Sequence, residues 1–184
     1  MRKFCFTLCI ITILFAFNSC VFYNDKLDYY YNDIKEYHAD KFMPNLDEIG
    51  ECYSIKYYSR KDELIFPAYS LKLIAKYDAE TFAKEKERLE DAYTYLQEPQ
   101  KAEFDEKYYT IPVVRFSVGE FDFRVVELED TCYPKNFGMI GISEKSCTVV
   151  YLWSYDVDCD YICAVEDDGL KEMYEYVSYR FHLE

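Results

Sequence analysis

YSIKYYSRKDELIFPAYSLKLIAKY, residues 53–77, carries the alternation that decides the fold. Tyr53, Ile55 and Tyr57 fall on one side of an extended chain. After the polar stretch Arg60 to Glu63, a second run places Tyr69, Leu71, Leu73, Ala75 and Tyr77 together. A spacing of two is the period of a strand, whose successive side chains point to opposite faces. The two runs predict an antiparallel hairpin with one apolar face.

Upstream of the hairpin the period changes. In KLDYYYNDIKEYHADKF, Leu27, Tyr30, Tyr31, Ile34, Tyr37, His38 and Phe42 recur at three- and four-residue spacing, which predicts an amphipathic helix ending before Pro44. Downstream, Asp78 stands as an N-cap for a helix through Phe82, Leu89, Tyr93 and Leu96 that stops at Pro99, its charged stretch AKEKERLED facing water. Four further strand-like runs occupy Tyr108 to Ser117, Phe121 to Leu128, Phe137 to Ser143 and Cys147 to Tyr155. Turn signals separate them at Gly119, Tyr133-Pro134 and Glu144-Lys145-Ser146. Leu170, Met173, Tyr174, Val177 and Phe181 follow Gly169 at helical spacing and predict a C-terminal helix. Short connections favour antiparallel neighbours. The expected architecture is α+β, a mostly antiparallel sheet of about six strands with three helices in the order α-β-β-α-β-β-β-β-α, the helices covering one face.

Composition agrees with a single packed domain. Gly and Pro number five each against 21 Tyr and 14 Phe, and hydrophobic residues make up 51% of the 184-residue chain, which argues against disorder. No linker and no repeat period divides it. The formal charge of −14 disfavours nucleic-acid phosphates and anionic lipid headgroups, and favours a cationic protein or peptide partner. The plainer reading of that charge is a solvated surface that keeps the protein soluble.

The N-terminus, MRKFCFTLCIITILFAFNSC, places Arg2 and Lys3 before an apolar run from Phe4 to Phe17 that ends in Asn18, Ser19 and Cys20. This is the form of an export signal. The run is shorter than the ~20 apolar residues a membrane-spanning helix needs. Phe17-Asn18-Ser19-Cys20 resembles the lipobox of bacterial lipoproteins, with Phe17 where Leu is usual. The resemblance covers residues 1–20 only. It implies that Cys20 is acylated and becomes the first residue of an extracytoplasmic chain anchored to a bacterial membrane. A secretory signal cut nearby is the alternative. Residues 1–19 then form the signal peptide, 20–26 the lipidated cysteine and a short tether, and 27–184 the domain. Loss of Arg2 and Lys3 would move the charge to −16.

Five cysteines besides Cys20 follow, Cys52, Cys132, Cys147, Cys159 and Cys163, in a compartment that permits disulfides. Cys132 precedes one strand and Cys147 begins the next, so a Cys132–Cys147 bridge is the pairing expected. The alternative is thiols packed as small apolar groups. In DVDCDYICAVED, Asp156, Asp158 and Asp160 alternate and could converge on calcium. Tyr161 replaces the glycine of a calcium loop, however, and Asp167 replaces its terminal Glu. The simpler expectation is a strand that runs on with the three aspartates in water. Tyr151, Trp153 and Tyr155 share a strand face, either as a sugar-stacking platform or, more simply, as core.

No nucleophile elbow, zinc-protease helix, phosphate loop or dinucleotide fingerprint is present. The two histidines, His38 and His182, read as a packed or capping residue and a terminal one. The functional expectation is a membrane-anchored, non-catalytic binding module without a cofactor. The alternatives are a carboxylate-based hydrolase of envelope polymers or glycans, and a calcium-stabilised structural module.

Overall fold

A computed structural model describes residues 21–62, 67–103, 105–128, 135–157 and 162–183. In chain order it contains β1 (Val21–Asn24), a 3-10 turn (Leu27–Tyr29), α1 (Tyr30–Glu36), β2 (Ser54–Asp62), β3 (Ala68–Lys76) and α2 (Ala79–Ala92). These lead to β4 (Gln100–Lys101), β5 (Tyr108–Ile111), β6 (Arg115–Val118), β7 (Phe121–Val125), β8 (Lys135–Ser143), β9 (Thr148–Asp156), β10 (Cys163–Ala164) and α3 (Gly169–Phe181). The main sheet has seven strands in the order β1-β2-β3-β9-β8-β7-β6, and a three-stranded sheet has the order β10-β5-β4. Every pairing in them is antiparallel.

The expected hairpin is β2 with β3, in register from Ser54–Lys76 to Asp62–Ala68. The first strand runs further than the sequence suggests. Arg60, Lys61 and Asp62, expected as a polar turn, are paired residues of β2, because Arg60 finds partners in Asp62 and in Tyr179 of α3. The single run expected from Tyr108 to Ser117 divides at Pro112 into β5 and β6, which belong to different sheets. Proline cannot donate to a ladder, so the strand ends where it stands. The strand count therefore exceeds the expected six.

Helices cover both faces of the large sheet, not one. On the first face Tyr30 and Ile34 of α1, Phe42 beyond it, and Phe82 and Leu89 of α2 pack on Leu71, Leu73, Tyr151 and Trp153. On the second face Met173, Val177 and Phe181 of α3 pack on Phe123, Phe137, Val150 and Leu152. Central β9 is consequently buried almost end to end, which is why TVVYLWSY is nearly continuous in its apolar character. Trp153 belongs to this core, its Nε1 donating to the Tyr37 carbonyl at 2.9 Å, so the aromatic row is packing and not a platform. Two glycines of β8 let aromatic rings approach the sheet on opposite sides. A Cβ on Gly138 would stand 2.6 Å from the Phe42 ring, and one on Gly141 would stand 2.3 Å from Phe123.

The helices are shorter than their apolar periods. α1 ends at Glu36 in a Schellman motif: His38 takes φ 57°, its N–H donates to Lys35, and Ala39 N–H donates to Ile34. His38 is thus a capping residue with an exposed side chain, and residues 39–42 lie outside the helix. α2 begins where expected, Asp78 Oδ1 accepting from Glu80 and Thr81 N–H, but it stops at Ala92. Tyr95 instead makes a bridge to Val126. Val21–Asn24, expected within a short tether, is an edge strand paired with β2 from Val21–Asp62 to Asn24–Ser59. Among the described residues no helix is long and apolar enough to cross a membrane.

Candidate docking groove

The residues singled out from sequence do not assemble into one site. Cys20, Cys132, Asp158 and Asp160 lie outside the described residues. Cys147, the other half of the expected disulfide, occupies the β8–β9 turn at φ 51°, half-buried, with its carbonyl accepting from Tyr77 N–H at 2.9 Å. Asp156 does not face water as expected. It is buried at the end of β9 and ion-paired to Arg180 of α3, which also reaches Asp62 Oδ2 at 2.8 Å. A carboxylate already committed to a guanidinium has less to offer a calcium ion. Among the described residues no cluster of three or more His, Cys, Asp or Glu side chains is arranged to hold a metal.

Carboxylates do gather in a hollow of about 450 Å³ lined by Glu48, Gly50, Glu51, Thr81, Lys84, Glu85 and Arg88. Glu85 is buried there, accepting from Arg88 Nε at 2.8 Å and Nη2 at 2.7 Å and from Tyr151 Oη at 2.9 Å. Its two oxygens are therefore satisfied by the fold. Glu48 is held below the ordinary carboxylate range by hydrogen bonds from the Asn45 side chain and backbone, the reverse of what a general acid requires.

A different kind of site lies at the β6 end of the sheet. Among the described residues β6 is the last strand, so one of its two edges faces no neighbour in the sheet. It joins β7 through the two-residue turn Gly119-Glu120, with Gly119 at φ 60°, as a II′ turn requires of its first central residue. A two-residue turn closes on a hydrogen-bonded pair, here Val118 with Phe121, and such pairs alternate along an antiparallel ladder. Phe116 and Val118 therefore spend their backbone groups on β7, while the N–H and C=O of Arg115 and Ser117 point away from it.

Facing that edge is the start of α3. Asp168 caps the helix, its Oδ1 accepting from Lys171 N–H at 3.3 Å. Gly169 lets the helix approach the chain after β5, where an added Cβ would meet Pro112 Cβ at 2.7 Å. Edge and helix bound a groove of about 670 Å³ lined by Arg115, Phe116, Ser117, Asp168, Leu170, Lys171, Tyr174 and Glu175. Leu170 and Tyr174 share the helical spacing of Met173, Val177 and Phe181 but not their burial. They are instead 53% and 46% exposed, because the sheet ends at β6 and offers nothing further to cover them.

The charges lining the groove balance, Asp168 and Glu175 against Arg115 and Lys171, and the excess of acid lies in the chain that leads into and forms its helix wall. From Glu166 to Glu175 the chain carries Glu166, Asp167, Asp168, Glu172 and Glu175 against Lys171 alone, and Lys171 lies 3.9 Å from Glu175. Pattern reading placed Leu170 and Tyr174 on an apolar helix face but could not show that this face overhangs the sheet. The usable signal was Pro112, which separates β6 from β5 and makes β6 terminal. No family model, no curated protein and no solved structure matches the chain, so the groove is read from its own geometry.

Proposed function

We propose that the protein is a membrane-anchored extracytoplasmic lipoprotein whose domain is a non-catalytic binding module. It takes up an extended cationic segment of a protein or peptide as an added strand on β6. The observation that carries this reading is the pairing of a free strand edge with an overhanging apolar helix face, Leu170 and Tyr174, beside it. An eighth strand hydrogen-bonded to Arg115 and Ser117 would run beneath those two side chains. Main-chain bonds would supply affinity and alternate side chains specificity, the usual division of labour in strand addition. The lining itself is balanced, with Arg115 and Lys171 against Asp168 and Glu175, so the preference for Lys or Arg in the incoming segment rests on the surrounding acids Glu166, Asp167 and Glu172 and on the chain's formal charge of −14.

The test uses two extended probes, an alternating Val–Lys peptide and an alternating Val–Glu peptide, with backbone hydrogen exchange as the readout. The Val–Lys peptide is expected to protect the Arg115 and Ser117 amides, and the Val–Glu peptide is not. Ser117→Pro removes one outward N–H while keeping an extended backbone, and should abolish protection at Arg115. Equal protection by both peptides would remove the charge argument, and no protection by either would remove the strand-addition reading.

A further inference from the structure

The opposite edge of the sheet, β1, differs in kind from the β6 edge. β1 begins at Val21, the residue that directly follows Cys20 in the sequence. Its side chains alternate across the sheet. Phe22 lies opposite Lys61 on the α1 face, and Tyr23 lies opposite Arg60 on the α3 face, 55% and 54% exposed. A surface that touches both must meet the strand edge-on. A third aromatic, Tyr179 near the end of α3, is 65% exposed beside them. The Arg60 guanidinium joins the group, 4.6 Å from the Tyr179 ring and 6.0 Å from the Tyr23 ring, while donating to Tyr179 Oη at 3.0 Å. Tyr58 and His182 complete the rim, their rings 5.8 Å from Tyr23.

We infer that this rim rests on the surface of the bilayer that holds the anchor, at the level of neutral phospholipid headgroups. The inference rests on the lipoprotein reading of Cys20. Tyrosine rings are apolar with a wet tip and favour the membrane–water interface. Backbone groups along an unpaired strand edge need hydrogen-bond partners, which headgroups and water supply and hydrocarbon does not. The rim therefore stays at the surface. The acidic chain selects neutral over anionic lipid.

A consequence follows for the docking groove. Six strand spacings separate β1 from β6, or about 29 Å at the usual inter-strand distance. With β1 on the membrane, the sheet is a rigid spacer that presents the groove that far from the surface. The strand pairing of Val21 to Asn24 removes the slack that a tether would have had.

The experiment compares two tryptophan reporters in the full lipidated chain, reconstituted in phosphatidylcholine vesicles brominated near the headgroup. Tyr23→Trp places the reporter on the rim, and Tyr174→Trp places it at the groove. Native Trp153 is buried and gives both samples the same background. Quenching of Tyr23→Trp is expected to exceed that of Tyr174→Trp several-fold. Intact mass of the same samples reports acylation of Cys20 independently. Equal quenching of the two reporters on an acylated chain overturns the rim alone. Selective quenching on an unacylated chain upholds the rim and overturns the anchor. An unacylated chain with no selectivity overturns both.

Discussion

Among the described residues the two ends of the seven-stranded sheet expose the same chemical hazard, an unpaired strand edge, and surround it differently. At β1 the flanking side chains are aromatics on both faces, with Arg60 held between two tyrosine rings. At β6 the flanking surface is a groove, apolar on one wall and acidic around the helix start. α3 connects the two. It starts over β6, where Gly169 sits against Pro112, and it ends over β2 and β3, where Lys72 Nζ donates to the Phe181 carbonyl at 2.6 Å. Edges are normally blunted by charge, proline or short length. Here each carries a surface that suits a particular neighbour, so a change that separates the two ends is the sharpest probe of either.

The largest effect is expected from the β1 end of α3. Arg180 is nearly buried between Asp62 of β2 and Asp156 of β9. Arg180→Ala would take away the cation that Asp62 and Asp156 share and leave Arg60, 3.2 Å from Asp62, as the cation beside them; removing one partner of a buried pair costs about 3–5 kcal/mol. Urea unfolding should record that loss. Replacing Asp156 by Asn in the Arg180→Met background, with Asp62 kept for Arg60, should recover part of it. A loss below about 1 kcal/mol for Arg180→Ala would mean that α3 is held at this end by Val177 and Phe181 alone.

Alkaline pH should act on the α1 face before it acts on the groove. Burial raises the phenol of Tyr30, Tyr57, Tyr77 and Tyr151, and it pushes Tyr37 and Tyr93 up to about 12. Raised phenols keep their protons in the folded state while the unfolded chain loses them. Stability is therefore fully present below pH 10, the ordinary phenol value, and falls as pH rises through the folded values. Each such tyrosine steepens the loss by up to about 1.4 kcal/mol per pH unit. Tyrosinate absorbance should then appear cooperatively, together with loss of the fold. Independent titration of these phenols near pH 10 would mean that the face admits water.

Legibility differed along the chain for a physical reason. The Asp78 cap and the Met173-Val177-Phe181 stripe are local patterns and stand as read, and the β2–β3 pairing does too, although β2 runs through the expected turn to Asp62 and leaves Tyr53 outside it. What the period could not give was the partner. Alternation in YLWSY says that two sides differ, but β9 has a helix layer on each side, so its buried face is both. Arg60 and Asp156 looked solvated because charge is usually solvated. They are paired across 119 and 24 residues of sequence, to Tyr179 and Arg180, and no local window contains such a pair. β1 was missed because VFYN is only four residues long and follows the apolar signal-like segment directly. The groove was missed for the same reason as the two helix layers. Leu170 and Tyr174 have core spacing, and only the end of the sheet leaves them uncovered.

A middle-sized effect should follow at the opposite end of α3. Gly169→Ala places a Cβ 2.7 Å from Pro112 Cβ, and neither atom is the far end of a flexible side chain. Overpacking of this kind costs about 1–3 kcal/mol. The expected relief is a shift of the first turn of α3 away from β5, which alters the groove without touching its lining residues. Urea unfolding checks the stability, and protection of the Arg115 and Ser117 amides by the Val–Lys peptide checks the groove. A destabilised protein that still protects those amides as well as wild type would show that the helix start does not set the groove.

The smallest effect on stability is expected from Leu170→Ser with Tyr174→Ser, and it is also the cleanest separation of folding from docking. Both side chains are about half exposed and neither belongs to the buried cluster of α3, so their loss should change stability by no more than about 0.5 kcal/mol each. If the overhanging face exists to cover an added strand, the double variant should lose its protection by the Val–Lys peptide at nearly unchanged stability, because the incoming strand would then gain backbone bonds but bury little apolar surface. If instead the double variant is destabilised by several kcal/mol, the two side chains are part of the core and the free edge of β6 has no prepared wall. The same pair of measurements on Phe22→Ser with Tyr23→Ser should give the opposite signature, with peptide protection retained, because those residues stand at the far edge of the sheet.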